Sequence, residues 1–212
     1  MQTDDLIALL ADGVEPVRAS SVLRALAKAI GAGLVVAIIL MLTTLKLRPD
    51  LAQALGGLPF WSKFTYTLVL AVIGFFMVER LARPATSAKP ALPWLLAPLA
   101  FIVFLALWQL SRPGADIHDL VMGHTARVCA LLIAFLSLPL MAASLFALRR
   151  LAPTQLRLAG AAAGFLSGAA AATVYAFHCP ETAAPFVAIW YTGGILLSTA
   201  IGALLGPLTL RW

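Results

Sequence analysis

Long apolar stretches alternate with short polar segments along most of this 212-residue chain. A helix needs roughly 17 to 25 mostly apolar residues to cross a lipid bilayer. Six stretches meet this requirement, and they cover residues 29–45, 60–78, 92–110, 128–148, 158–177 and 185–205. The pattern therefore predicts an all-α, polytopic membrane protein built as a six-transmembrane-helix bundle.

The composition supports a membrane protein and argues against an enzyme. Hydrophobic residues make up 62% of the chain and charged residues 11%, whereas a soluble domain has about 45–50% apolar and about 25% charged residues. The longest polar segment between predicted helices covers only residues 111–127, so we expect no soluble catalytic domain. Lys63 lies inside the second predicted helix. A lysine one turn from the interface can extend its ammonium group into water, and we expect Lys63 to do so.

The basic residues are divided unequally between the two sides of the predicted bundle. Ten lie on the side of the chain termini: Arg18, Arg24, Lys28, Arg80, Arg83, Lys89, Arg149, Arg150, Arg157 and Arg211. Five lie on the opposite side: Lys46, Arg48, Lys63, Arg112 and Arg127. Cytoplasmic segments are enriched in Lys and Arg, so we predict that both termini are cytoplasmic. Attraction to the lipid bilayer and its anionic headgroups explains the net charge of +6, so we expect no nucleic-acid partner.

The residues before the first predicted helix form a short amphipathic pattern, which predicts an N-terminal cytoplasmic helix. Thr3 is a suitable N-cap, and Gly13 can end the helix. The apolar face contains Leu6, Leu9 and Leu10, the polar face contains Asp4, Asp5, Asp12 and Glu15, and Val14, Pro16 and Val17 continue the apolar surface. Helices that lie on membranes usually carry basic residues on the polar face. The acidic face therefore favours a protein partner over a membrane-surface helix.

Glycines at intervals of four mark the fifth predicted helix, at Gly160, Gly164 and Gly168. Small residues at this spacing let helix backbones approach closely. We interpret them as a helix-packing face inside the bundle, and the alternative is a homodimer interface.

Ionisable groups are missing from the centres of the predicted helices. Proton- and ion-coupled transporters generally carry such groups there. Transport is therefore disfavoured, and a small membrane transporter or metal-export component is the alternative function.

Both cysteines, Cys129 and Cys179, fall on the outer side of the predicted bundle, together with all three histidines. Cys129 comes one turn into the fourth predicted helix, where the helix dipole and the nearby Arg127 favour a thiolate. Cys179 follows the end of the fifth predicted helix and precedes Glu181, and both features disfavour a thiolate. We therefore expect Cys129 to be the attacking thiol.

Three chemical interpretations of the cysteines follow. A disulfide requires Cα atoms about 4.4 to 6.8 Å apart, and the bacterial envelope permits one. Alternatively, the cysteines with His124, His178 and Glu181 would offer ligands to a zinc-like soft metal ion, although no cofactor is required. The third interpretation is that both cysteines are small buried hydrophobic residues. The chain lacks the Cys-x-x-Cys pair typical of membrane disulfide-generating enzymes.

The segment His178-Cys179-Pro180-Glu181-Thr182, followed by Pro185-Phe186-Val187 and Trp190-Tyr191, resembles the signature of the NrsF-type membrane anti-sigma factors of proteobacteria. The Pro16-Val17-Arg18 element, the six predicted helices and the two outer cysteines extend this resemblance over the whole chain.

The resemblance implies an anti-sigma factor of the bacterial inner membrane. Residues 1–24 would be a cytoplasmic tail that sequesters an extracytoplasmic-function sigma factor, and residues 25–212 would be the six-helix sensor domain. The residues expected to bind the sigma factor are Asp4, Asp5, Leu6, Leu9, Leu10, Val14, Pro16, Val17 and Arg18. Cys129 and Cys179 would respond to oxidative or heavy-metal stress in the periplasm.

Overall fold

The computed structural model describes Thr3, Asp5, residues 20–83 and residues 86–211. Its main elements are six long helices: α1 (Ser20–Leu40), α2 (Leu58–Leu81), α3 (Leu96–Leu110), α4 (Ala126–Arg149), α5 (Leu156–Tyr175) and α6 (Thr192–Thr209). The described residues contain no β-strand. The predicted all-α six-helix architecture is confirmed.

Shorter helical segments extend these helices or connect them. A π-helical segment, Met41–Leu45, continues α1, and a 3-10 helix, Lys89–Leu95, leads into α3. The last span begins with the turn Ala184–Phe186 and the π-helical segment Val187–Tyr191 before α6. Two short connecting helices are Leu51–Leu55 and Ile117–Met122.

Each of the six spans is long and apolar enough to cross a membrane. With their flanking helical segments they cover Val22–Leu45, Leu58–Leu81, Lys89–Leu110, Ile117–Arg149, Leu156–Tyr175 and Ala184–Thr209. The first helix begins at Ser20 rather than at residue 29 because helical hydrogen bonding continues through the polar flank of the apolar stretch. The structure is that of a multi-pass helical membrane protein.

Helix α5 lies at the centre of the bundle, where it packs against α2, α4 and α6. Its buried residues are mostly small, and Ala163, Ala169 and Ala172 are completely buried. Helix α1 packs mainly on α4, and α3 lies at the periphery against the beginning of the last span. The small side chains of α5 allow three neighbouring helices to approach it at once.

The glycines of α5 lie directly against the backbone of α6. A Cβ atom on Gly160 would overlap the carbonyl oxygen of Gly202, and one on Gly164 would overlap that of Ser198. A Cβ atom on Gly168 would lie 2.9 Å from the Ser198 Cβ. The Ser198 hydroxyl also donates a hydrogen bond of 3.0 Å to the Ser137 hydroxyl of α4. The glycine spacing is therefore used for packing between helices of the same chain.

We predict that Gly164→Ala destabilises the bundle by about 1–3 kcal/mol because the added methyl group must push the α5 and α6 backbones apart. The measurement is the thermal unfolding midpoint in lipid nanodiscs. Gly31→Ala in α1 is the matched control, since a Cβ atom there meets no other atom within 4 Å. It should leave the midpoint unchanged or raise it slightly through helix propensity. Equal midpoints for the two variants would contradict the tight α5–α6 contact.

Candidate functional site

The connection between α5 and the last span, residues 176–183, has no regular helical structure and contains the Cys-Pro-Glu sequence. We call it the cysteine loop. The connections 46–57 and 111–125 lie at the same end of the bundle, which we call the cysteine end. In a membrane protein, irregular backbone has to be satisfied by protein groups or water. The candidate site consists of the cysteine loop and the side chains that bind it.

Lys63 of α2 supplies the central contact with the cysteine loop. Its side chain is completely buried, and its Nζ atom donates hydrogen bonds to the carbonyl oxygens of Cys179 (2.9 Å) and Glu181 (2.8 Å). The same atom lies 5.5 Å from the centre of the Tyr191 ring. The expectation that Lys63 extends into water is therefore wrong. The ammonium group turns inward because the non-helical loop offers free carbonyl oxygens that a helix would not.

Arg48 binds the cysteine loop from the connection after the first span. Its guanidinium group forms two hydrogen bonds with the Asp50 carboxylate, of 2.7 and 2.6 Å, and a longer one of 3.4 Å with the Cys179 carbonyl oxygen. Its backbone N–H donates to the Phe177 carbonyl oxygen. The hydrogen bond from Arg48 lowers the pKa of the Asp50 carboxyl group, so this pair stays charged at neutral pH. Arg48 thus fixes the end of the first span to the loop.

Glu181 binds the cysteine loop to the connection that precedes α4. Its Oε1 atom accepts a 2.8 Å hydrogen bond from the backbone N–H of His124. Gly123 has a φ of +48°, and a Cβ atom there would lie 2.7 Å from the Glu181 carboxylate. The end of the loop is also held by α3, since the Gln109 Oε1 atom accepts a 2.8 Å hydrogen bond from the Ala184 N–H. Gly123 is thus required both by its backbone conformation and by the close approach of Glu181.

The two thiols interact directly at the centre of this arrangement. Cys129 lies in the first turn of α4 and Cys179 in the cysteine loop, and both are completely buried free thiols. Residues next to both thiols meet here, since the Thr125 hydroxyl, four residues before Cys129, lies 3.8 Å from the Cys179 sulfur. The buried Tyr175 and Tyr191 hydroxyls interact with the same pair, and their ring centres are 5.8 Å apart. The arrangement is chemically suited to reaction between the two sulfurs.

The charges around the pair oppose the sequence-based expectation of which cysteine attacks. The neighbouring Cys129 thiol and the positive charge of Lys63 lower the pKa of Cys179, against the opposing effect of burial. The backbone N–H of Glu181 contributes in the same direction. Cys179, rather than Cys129, is therefore the thiol that the structure favours as a thiolate. The expectation for Cys129 rested on the helix dipole and on Arg127 alone, because the burial of Lys63 beside Cys179 is not visible in the sequence.

The structure brings two of the candidate metal ligands together, since the His124 Nδ1 atom lies 3.5 Å from the Glu181 Oε1 atom. Among the described residues, no three His, Cys, Asp or Glu side chains form a group that could hold a metal ion. The His124 side chain is 95% exposed. The Nδ1 atom of His178 is hydrogen-bonded to the Lys46 carbonyl oxygen at 2.9 Å. Glu181 uses its carboxylate to accept a hydrogen bond from the His124 backbone N–H.

The predicted sigma-binding residues lie almost entirely outside the described part of the chain. These are Asp4, Leu6, Leu9, Leu10, Val14, Pro16, Val17 and Arg18. Asp5 is described, and it is exposed. Their role stays a prediction.

Sequence reasoning missed the residues that surround the thiols. Lys63 carried a usable signal, because it is the one charged residue between positions 60 and 78. Tyr191 and Trp190 belong to the Trp-Tyr segment, and both look like interfacial residues in the sequence. Tyr191 is instead completely buried, and Trp190 donates a 2.9 Å hydrogen bond to the Val121 carbonyl oxygen. Nothing in the sequence singled out Arg48 or Tyr175.

These features describe a multi-pass helical membrane protein with an interacting pair of thiols at one end of the bundle. The chain belongs to the family described as negative regulator of sigma F, whose model matches residues 10–212. It is 43% identical to the probable anti-sigma-F factor NrsF of Azospira oryzae and 41% identical to the anti-sigma-F factor NrsF of Caulobacter vibrioides. Both comparisons cover 100% of this chain and 100% of the relative. No solved structure matches the chain.

We predict that Gly123→Ala loosens the cysteine loop, because the added methyl group would displace the Glu181 carboxylate from the His124 N–H. The measurement is the thermal unfolding midpoint in nanodiscs, with an expected loss of about 1–3 kcal/mol. Gly114→Ala is the control. Gly114 also has a positive φ, of +77°, but a Cβ atom there meets nothing within 4 Å. If both variants lose the same stability, backbone strain alone accounts for Gly123.

Proposed function

We propose that this chain is a membrane anti-sigma factor that holds an extracytoplasmic-function sigma factor through its N-terminal tail and releases it when Cys129 and Cys179 are oxidised. The tail would be residues 1–24 and the sensor residues 25–212. The protein would lie in the bacterial inner membrane with both termini in the cytoplasm. The observation that carries the sensing part is the burial of two free thiols at one end of the bundle, where the Thr125 hydroxyl before α4 lies 3.8 Å from the Cys179 sulfur.

Family membership supports the anti-sigma activity, because two full-length relatives are named anti-sigma-F factors. The sequence of the tail supports its part in the proposal. Leu6, Leu9 and Leu10 form an apolar face, and the polar face is acidic. A helix of about ten residues is marginal alone in water, so it would gain its order from the partner that it binds.

The contacts of the cysteine loop support a route from the thiols to the tail. Arg48 binds both the Cys179 and the Phe177 carbonyl oxygens, and it follows directly after the first span. That span continues from the tail at its other end. Disulfide formation would move the Cys179 backbone and therefore change the contacts of Arg48. The tail would respond if the two redox states favour different positions of the first span.

An oxidant is the first of the two proposed stimuli, and a heavy-metal ion is the second. A soft metal ion such as zinc usually takes four ligands, whereas the described residues contain no group of three His, Cys, Asp or Glu side chains that could hold one. Two neighbouring thiols are sufficient for a disulfide. Oxidation is therefore the chemistry that the described geometry supports best.

For the tail, we expect deletion of residues 4–17 to abolish co-purification of the sigma factor, and Leu9→Asp to weaken it at least tenfold, because a charge would enter the apolar face. The measurement is affinity purification of the membrane protein with the co-expressed sigma factor. Ala8→Asp introduces the same charge on the opposite face of the predicted helix and should preserve binding. Unchanged binding in the deletion variant would exclude the tail as the binding segment.

For the thiols, we expect treatment with hydrogen peroxide to remove two hydrogen atoms from the wild-type protein and to reduce the bound sigma factor several-fold. Intact-mass spectrometry measures the first effect, and co-purification measures the second. Cys129→Ser and Cys179→Ser should each prevent both effects while preserving sigma binding under reducing conditions. Release of the sigma factor from the double serine variant would show that the signal enters elsewhere.

A further inference from the structure

The charge of Lys63 is not balanced by a carboxylate. Its side chain is completely buried, and its two hydrogen-bond acceptors are the carbonyl oxygens of Cys179 and Glu181. In the described part of the chain, no Asp or Glu side chain forms an ion pair with it. Carbonyl groups satisfy the N–H donors, but they carry no net charge. Burial of an ammonium group without a negative partner destabilises the folded state, because the group loses its hydration.

The Cys179 sulfur is the group best placed to be that negative partner. The Lys63 Nζ atom lies 2.9 Å from the carbonyl oxygen of Cys179 itself, which places the buried ammonium group beside this residue. The Thr125 hydroxyl lies 3.8 Å from this sulfur. The Tyr191 hydroxyl is buried without a hydrogen-bond partner among the described residues, and the Tyr191 ring centre lies 5.5 Å from the Lys63 Nζ atom. A sulfur surrounded by donors and beside a cation is stabilised as an anion.

The titratable and charged groups around Cys179 come from every element packed against it. They are Lys63 of α2, Arg48 of the first connection, Cys129 of α4, Tyr175 at the end of α5, Tyr191 of the last span and Glu181 of the loop itself. The Glu181 carboxylate is occupied by the His124 N–H, and Arg48 is paired with Asp50. Lys63 is therefore the one cation of the set without a carboxylate partner.

We propose that Lys63 is a positioning residue that keeps Cys179 as a thiolate, so that Cys179 is the thiol that reacts first and Cys129 is the thiol that closes the disulfide. This inference rests on the proposed function, and it adds the order in which the two thiols of the sensor react. The chemistry of the two sulfurs can nevertheless be tested without the sigma factor.

The oxidation step can be written for a hydroperoxide as the oxidant. The Cys179 thiolate attacks one peroxide oxygen, so that an S–O bond forms, the O–O bond breaks and hydroxide leaves. Cys179 is then a sulfenic acid. The Cys129 sulfur attacks the Cys179 sulfur, the S–S bond forms, and the hydroxyl group leaves with the Cys129 proton as water. The first hydroxide takes a proton from solvent, so two thiols and one hydrogen peroxide give one disulfide and two waters.

A purely structural role for Lys63 makes a different prediction. If Lys63 serves only as a hydrogen-bond donor to the loop, its removal should lower stability without changing which cysteine reacts. If it stabilises the thiolate, its removal should shift the pH dependence of Cys179 reactivity upwards. The pH profile therefore separates the two roles.

The experiment uses the full-length reduced protein in lipid nanodiscs and iodoacetamide as the probe, between about pH 5 and pH 9. Peptide mass spectrometry follows the alkylation of Cys179 and Cys129 separately. In the wild type, Cys179 should react first. In Lys63→Gln, its rate at about pH 6 should fall about tenfold, since the loss of thiolate outweighs the higher nucleophilicity of a less acidic thiol. Lys63→Arg keeps the positive charge and should restore much of the rate.

Thr67→Val is the matched control for a buried polar change one turn along α2. Its hydroxyl is buried and bonds to backbone carbonyl oxygens, so its removal alters no charge. This variant should retain the wild-type profile of Cys179.

The inference is overturned if Cys129 reacts first in the wild type, a result that requires no variant to fold. It is also overturned if Lys63→Gln leaves the Cys179 profile unchanged. A wild type in which Cys179 reacts first, but whose oxidation does not release the sigma factor, would reject the proposed function and leave the role of Lys63 intact.

Discussion

The structure depends on one buried interaction, in which the Lys63 ammonium group binds the free carbonyl oxygens of the cysteine loop. A membrane offers no water to irregular backbone, so the loop needs donors from the protein. Lys63 in turn needs acceptors, because its ammonium group is completely buried in the bundle. The ammonium group supplies the donors that the loop carbonyl oxygens need, and these oxygens supply the acceptors that the ammonium group needs. Together they explain why a charged residue and a non-helical segment coexist at one end of this bundle.

The remaining contacts of the loop follow from its position between two fixed helices. The glycines of α5 bring its backbone against that of α6, so the two helices that the loop connects cannot easily separate. Arg48, Gln109 and the His124 N–H then bind the loop from three other parts of the chain. A chemical change at Cys179 that moves the loop would therefore alter hydrogen bonds at several helix ends at once, including the end of the first span.

The same environment gives the two cysteines different chemical characters. Cys129 lies in the first turn of α4, whereas Cys179 lies in the cysteine loop, where the Lys63 ammonium group binds its carbonyl oxygen. Neighbouring thiols with unequal acidity are well suited to a reaction in which one sulfur attacks an oxidant and the other closes a disulfide. A pair of this kind is consistent with a sensor that is reset by reduction.

The sequence by itself determined the six spans and the shared location of the cysteines, because bilayer thickness sets the length of an apolar helix and alternating directions assign its ends. It also indicated the glycine contact, since a spacing of four residues places Gly160, Gly164 and Gly168 on one helix face. Only the tertiary structure decided that Lys63 turns inward, that Tyr191 is buried and that the Lys63 ammonium group lies beside Cys179. These properties depend on which carbonyl oxygens the loop leaves free and on which side chains surround them. Neither is encoded in local periodicity, because both arise from packing between residues more than a hundred positions apart.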